Sequence, residues 1–246
     1  MSLPAPFRWE GEHIGADLPG ARVLFTTRRG GTSSGRYESL NLGLWTDDDR
    51  DAVLENRRRV ASLTGAAFAQ GRQEHGTAVR RVAEPPAGEP RPADGQATAL
   101  AGVAPIVLVA DCLPVAVAGE GAVAMLHCGW RGLAGGMVAE GVRAVRELGD
   151  DGPLAAAIGP GARACCYEVG EEVHAAFALG GAVRRGDHLD LAAVALAGLE
   201  KAGIEEVVDT GLCTICSDPG LFFSHRRDSG VTGRQAGVVW RERALR

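Results

Sequence analysis

Two short apolar runs, "PVAVA" (Pro114–Ala118) and "AVAML" (Ala122–Leu126), are separated only by "GEG", a pattern that predicts a β-hairpin. A two-residue turn on Gly119-Glu120 would pair Ala118 with Gly121 and set Cys112 directly opposite His127 on one face. A turn on Glu120-Gly121 would instead set Cys112 opposite Gly129. Further strands are expected at "ARVLFTTR" (Ala21–Arg28), "LAAAIGP" (Leu154–Pro160) and "EEVVDTG" (Glu205–Gly211). Helical spacing appears in "AVLENRRRVASLTG", where Val53, Leu54, Val60 and Leu63 share a face and Gly65 offers a stop. It recurs at Gly135–Leu148 through Val138, Val142 and Val145, in a short helix over "VGEEVHAAFAL", and in "HLDLAAVALAGLEKAG" with Asp190 as its cap. The stretch Ala83–Gly95 carries four prolines and reads as a mobile surface loop. Strands and helices in this mixed order predict an α+β fold, a layered mixed α/β sandwich formed as a single domain over residues 1–246.

Composition narrows the function classes. The balance of 26 basic and 31 acidic residues, net −5, supplies no overall field for a nucleic-acid backbone and favours a small substrate, an anion among them. The longest plainly apolar run, Val103–Ala110, is far too short for a membrane span, and "MSLPAPFRWEGEH" lacks a signal-peptide core. The expectation is a cytoplasmic enzyme without membrane or nucleic-acid partners. Its six cysteines are then thiols, to be read for metal binding or catalysis.

Cys112 and His127, brought together by the hairpin, form half of a metal site. "QEHGTAV" supplies His75, followed by a glycine that lets the chain turn sharply. Three protein ligands with an open fourth position are what a catalytic zinc requires, so His75, Cys112 and His127 are both the metal set and the catalytic set. A strand cysteine is also a common core residue, and Cys112 beside a histidine is also the arrangement of a cysteine hydrolase. Cys165, Cys166, Cys213 and Cys216 could form a structural zinc cluster, against which stands the difficulty of two adjacent cysteines serving one tetrahedral ion.

Six motifs in series, "FTTRRGGTSSGRYESLNLG", "QEHGTAV", "ADCLPV", "HCGWRG", "IGPGARACCYEVGEEV" and "CTICSDPGLFFSHRRDSGVTGRQAGVVW", resemble the YfiH-type family, long labelled laccase-domain or polyphenol oxidase proteins. The resemblance runs from about Phe25 to Trp240 and implies a YfiH-like sandwich. It further implies a zinc-dependent enzyme that phosphorolyses adenosine, inosine, guanosine and methylthioadenosine and deaminates adenosine. The family's metal-holding residues map onto His75, Cys112 and His127. Three positions depart from the family pattern: Cys128 for an alanine beside the metal histidine, His225 for a tyrosine, and an added thiol at Cys216.

Phosphorolysis needs an anion site, and Arg28, Arg131, Arg226, Arg227 and Arg234 sit in loop-like motifs suited to phosphate. Arg131 would be aided by a helix start in "GLAGG". Asn41 could contact nucleoside hydroxyls or stabilise a turn. Glu168 and His225 are candidates for moving the deamination proton. Copper is the rival metal, since Cu²⁺ outcompetes Zn²⁺ at nitrogen sites, but six histidines in the whole chain cannot also build a multicopper cluster.

Overall fold

The computed structural model describes residues 2–177 and 183–241. Two six-stranded sheets lie against each other. The first runs in the order β1 (Arg8–Glu10), β2 (His13–Leu18), β3 (Ala21–Phe25), β14 (Gln235–Trp240), β7 (Val103–Val109) and β4 (Ala67–Gln70). The second runs β13 (Glu206–Asp209), β10 (Ala155–Ile158), β8 (Leu113–Ala118), β9 (Val123–Cys128), β6 (Gly95–Thr98) and β5 (Val79–Arg81). A small ribbon of β11 (Arg184–Arg185) and β12 (His188–Leu189) stands apart. Pairing is antiparallel except at β4–β7, β5–β6 and β10–β13.

Helices close both outer faces. α1 (Arg50–Thr64) covers the first sheet, and Val60 packs with Leu24, Ile106 and Val238. α2 (Trp130–Ala134), α3 (Met137–Glu147) and α5 (Leu191–Lys201) cover the second, while the short α4 (Glu171–Ala175) adds Val173 to the same cluster. The molecule is therefore the expected mixed α/β sandwich, with a sheet-on-sheet core flanked by two sheet-on-helix cores. Because the second sheet is buried on both faces, β8 and β9 read as unbroken apolar runs. Their side chains still alternate: Val115, Val117, Leu126 and Cys128 face the helices, whereas Ala116, Ala118, Val123 and Met125 face the other sheet. Among the described residues no helix is long and apolar enough to cross a membrane.

The hairpin forms with the second of the two registers. Ala118 pairs with Val123, and the Gly119 N–H donates to the Ala122 carbonyl, so Glu120 and Gly121 make the turn. His127 thus lies opposite Pro114, and Cys112 falls across from Gly129. The turn is fixed from outside, because Asp150 accepts from both the Gly121 and Ala122 N–H groups. Since the shift is two residues, Cys112 and His127 keep a common face and become diagonal neighbours.

Other expectations need adjustment. Leu54 and Leu63 of α1 are exposed, and Asn56 takes the inward position because its amide bonds Thr32, Ser33, Ser39 and Asn41. The helix expected at Gly135–Leu148 is α3, Met137–Glu147, and the separate five-residue α2 precedes it, divided from it where Gly136 adopts a left-handed φ of 90°. The strand expected at Ala21–Arg28 ends at Phe25. The short helix expected over residues 169–179 spans Glu171–Ala175, and positions 178 and 179 lie outside the described residues. Asp49 and Asp190 cap α1 and α5 through the N–H groups of Ala52 and Ala193. The proline-rich stretch is exposed only in its first part: Ala93, Asp94 and Gly95 are buried, and Gly95 opens β6.

Candidate metal centre and cavity

At one end of the sandwich the β4–β5 and β7–β8 connections converge on the last residues of β9. They carry His75, Cys112 and His127, whose potential ligand atoms all lie within 4.8 Å of one another. The two imidazoles meet edge to face with centroids 4.9 Å apart. Gly129 makes this possible: a Cβ there would stand 3.0 Å from Cys112 Sγ and 3.3 Å from the His75 ring.

The histidines share an anchor that the sequence reading did not include. Asp94 accepts from the backbone N–H groups of Glu74, His75 and Gly76 at 2.8–3.0 Å and faces His127 Nδ1 at 2.8 Å. With Nδ1–H donating to Asp94, the other ring nitrogen of His127 is free to act as a ligand or base. The sharp turn before β5 is made by His75 itself, with φ 60°, rather than by Gly76. Its strained backbone is held by the Asp94 bond. Asp111, at φ 92°, is held likewise, accepting from the Thr214 hydroxyl at 2.6 Å and from the Arg226 N–H at 2.7 Å. Gln73 locks the same connection to β7 by exchanging two 2.8 Å bonds with Leu108.

Electrostatics couple the charges of Cys112, His127 and Asp94. Burial opposes ionisation of Cys112, but the charges and hydrogen bonds of His127 and His75 outweigh it and hold the thiol below its ordinary value. Burial likewise opposes charge on His127, yet the Cys112 thiolate and Asp94 raise it. Asp94 is kept ionised, against its own burial, by His127 and the backbone donors. Cys128 behaves differently. Strand alternation turns it to the helix-facing core, where burial pushes its thiol up, so it is a packing residue and not a fourth ligand. Two imidazoles and one thiolate, running from buried His127 through half-buried Cys112 to exposed His75, oriented by a carboxylate and open to the space alongside, fit a borderline-soft divalent ion.

That space is a cavity of about 430 Å³. Arg131, Arg226 and Arg234 line it, as do Trp130, Tyr167 and His225. Arg131 lies over the Trp130 ring and Arg226 over Tyr167. Among the described residues none of these three arginines is bonded to a carboxylate; Arg226 and Arg234 instead donate to backbone carbonyls. Gln70 also lines the cavity. Its Oε1 accepts from Arg57, while its buried Nε2 has no partner.

The remaining candidates lie elsewhere. Arg28 stacks on Phe223 and donates to the carbonyls of Glu38 and Pro219, outside the cavity lining. Arg227 is paired with Asp228 and donates to the Thr214 and Phe222 carbonyls. Asn41 is fully buried: its Oδ1 accepts from Gly43 and Arg234 N–H groups, and its Nδ2 donates to Thr46 and Asp48. It builds the turn and positions Arg234 without facing the cavity. Arg131 belongs to the five-residue α2, not to a helix start in "GLAGG". Glu168 is exposed and outside the cavity lining. Asp94 and Gln70 were hidden because each sits in a stretch with no signature of its own, whereas Gln73 opens "QEHGTAV" beside the more conspicuous His75; the only cue to Asp94 was the Asp-Gly pair ending a proline-rich loop.

A family model described as multi-copper polyphenol oxidoreductase laccase matches residues 22–242. The chain is also 33% identical over 240 residues to the purine nucleoside phosphorylase YfiH of Shigella flexneri, covering 90% of this chain and 94% of that one. The chain belongs to the YfiH family. A Deinococcus radiodurans relative named purine nucleoside phosphorylase is 39% identical over 230 residues, 87% of each protein. Among solved structures, YlmD from Geobacillus stearothermophilus superimposes with a TM-score of 0.89 at 32% identity, covering 98% of this chain and 100% of that one. The YfiH-family resemblance read from the six motifs is thus confirmed, and so is the sandwich.

Proposed function

We propose that this protein is a zinc-dependent purine nucleoside phosphorylase with adenosine deaminase activity, acting in the cytoplasm on adenosine, inosine, guanosine and methylthioadenosine. The observation that carries the reading is the meeting, in one cavity, of the His75–Cys112–His127 set with three arginines that have no carboxylate partner among the described residues. The names of the relatives from Deinococcus and Shigella support the same activity. A cavity of about 430 Å³ falls within the usual range for small-molecule sites.

In phosphorolysis a phosphate oxygen attacks the ribose anomeric carbon, the glycosidic bond breaks, and the purine leaves with the bonding electrons and takes up a proton. Arg131, Arg226 and Arg234 hold the phosphate and balance its charge. Trp130 and Tyr167 offer faces for the purine, and the Gln70 amide N–H meets an acceptor on the substrate. His75, Cys112 and His127 would hold the zinc, which would supply a Lewis acid beside the cavity. In deamination, water adds to the amine-bearing ring carbon and ammonia leaves; His225 at the cavity edge is placed to move a proton, and Glu168 is not.

Incubating metal-replete protein with adenosine, with and without phosphate, tests both activities. Adenine and ribose 1-phosphate should form only with phosphate, and inosine without it. Absence of phosphate-dependent base release would overturn the phosphorylase reading.

Two other readings each have an observation behind them. Two histidines and a cysteine are also a copper donor set, in keeping with the family description. Stoichiometric copper in protein expressed without added metal, with phenol oxidation, would favour it. The line Asp94–His127–Cys112 is also that of a cysteine nucleophile with an oriented base. Activity that survives chelation but not thiol alkylation would favour a hydrolase.

A further inference from the structure

The second cluster of metal-binding side chains lies outside the cavity. Cys165 and Cys166 occupy the turn between β10 and α4, and Cys213 and Cys216 follow β13; all four sulfurs lie within 4.8 Å of one another, with Cys165 and Cys216 at 3.6 Å. We propose that these four cysteines bind one zinc ion as a closed tetrathiolate site that ties the two segments together.

Three observations carry this. First, Zn–S bonds of about 2.3 Å in a tetrahedron place the sulfurs about 3.8 Å apart, so the group needs only small adjustments to close on an ion. Second, Cys213-Thr-Ile-Cys216 is a two-residue-spaced cysteine pair whose chain turns back on itself, the Ser217 N–H donating to the Cys213 carbonyl. Third, the objection to adjacent cysteines is met by the local turn. The N–H groups of Cys166 and Tyr167 both donate to the Arg163 carbonyl at 2.9 Å, which bends the chain and lets both sulfurs converge. Cys165 and Cys216 are exposed, so an ion has a route in, while Cys213 is buried beneath.

On binding, four S–Zn bonds form and the four thiol protons pass to solvent; no electron moves. The site has four protein donors and no cavity, so its role is structural. The tied segments feed the cavity: Thr214 bonds Asp111, the residue before Cys112, and Tyr167 lines the wall. The proposal stands whether or not the cavity takes nucleosides.

The Cys112→Ala chain isolates this site. After zinc loading and desalting it should retain one zinc, and after cobalt loading it should show the intense thiolate-to-cobalt charge transfer and tetrahedral visible bands of a tetrathiolate centre. Cys112→Ala/Cys216→Ser should lose both. A Cys112→Ala chain that binds no zinc, with its five remaining cysteines titrating as free thiols or two of them joined with loss of two hydrogens by mass, would overturn the proposal. Should the double variant fail to fold, the cobalt spectrum of the single variant decides. If the cavity does not bind metal, wild type and Cys112→Ala would hold the same single zinc, which separates the two failures.

Discussion

The two clusters differ in donors and surroundings. His75, Cys112 and His127 come from two connections and the end of β9, mix nitrogen with sulfur, and line a cavity with a carboxylate against His127. Cys165, Cys166, Cys213 and Cys216 come from two loops, offer sulfur alone, and sit where the loops touch near the surface. A three-donor set facing open space leaves room for a reacting molecule, whereas four donors that close on an ion leave none. On the readings proposed above, the same side-chain chemistry would serve reaction in one place and fastening in the other, and what separates them is the empty volume alongside.

The sharpest way to break this contrast is Cys112→Ala. Removing one of three ligands should take metal from the cavity site and lower phosphorolysis by at least about 100-fold, as read by metal analysis and product assay. Turnover at the wild-type level would end the assignment of chemistry to this cluster. Asp94→Asn comes next. It keeps an acceptor for some backbone donors but loses the charge facing His127, so metal affinity at the cavity site should weaken about 10- to 100-fold, measured by competition with a chelating dye. An unchanged affinity would mean that His127 needs no orienting partner. Third, Arg234→Ala, Arg131→Ala and Arg226→Ala should each raise the phosphate concentration for half-saturation by about tenfold, while Arg28→Ala should leave it nearly unchanged and act on stability. The reverse ranking would move the anion site to the Phe223 side. The smallest effect is expected from Cys128→Ala, which should leave turnover within about twofold and cost about 1 kcal/mol in a denaturant melt.

Much of the fold was legible because both sheets are buried and their strands are apolar, as in β8, β9 and β10. The short strands β1, β5 and β6 were not, since "RWE", "VRR" and "GQAT" carry no period that sets them apart from loop. The three donors were legible as residue types, and the hairpin set two of them on one face in either register. What decided the register was Asp150, some thirty residues away and without a local mark. Partners also sorted the arginines. Arg227 is taken up by Asp228, its neighbour within the motif, and Arg28 by two carbonyls, one of them 191 residues away, although all five arginines look alike in their motifs. Asn41 shows the same limit: both of its roles were open from "SLNLG", and four hydrogen bonds leave the turn.

Asp94 closes a loop whose first part, Glu84 to Pro90, is mostly exposed. Its place is set from the far side, by Gly95 pairing with Leu126 and by the His127 N–H donating to the Asp94 carbonyl at 2.8 Å. Loop length and site geometry are therefore uncoupled. A foreign peptide spliced between Glu84 and Pro90 would lengthen the excursion at a small entropic cost and leave the carboxylate where it is. The loop is thus a natural port for an epitope, a fluorophore or a tether to a surface, close in sequence to the metal centre and mechanically insulated from it.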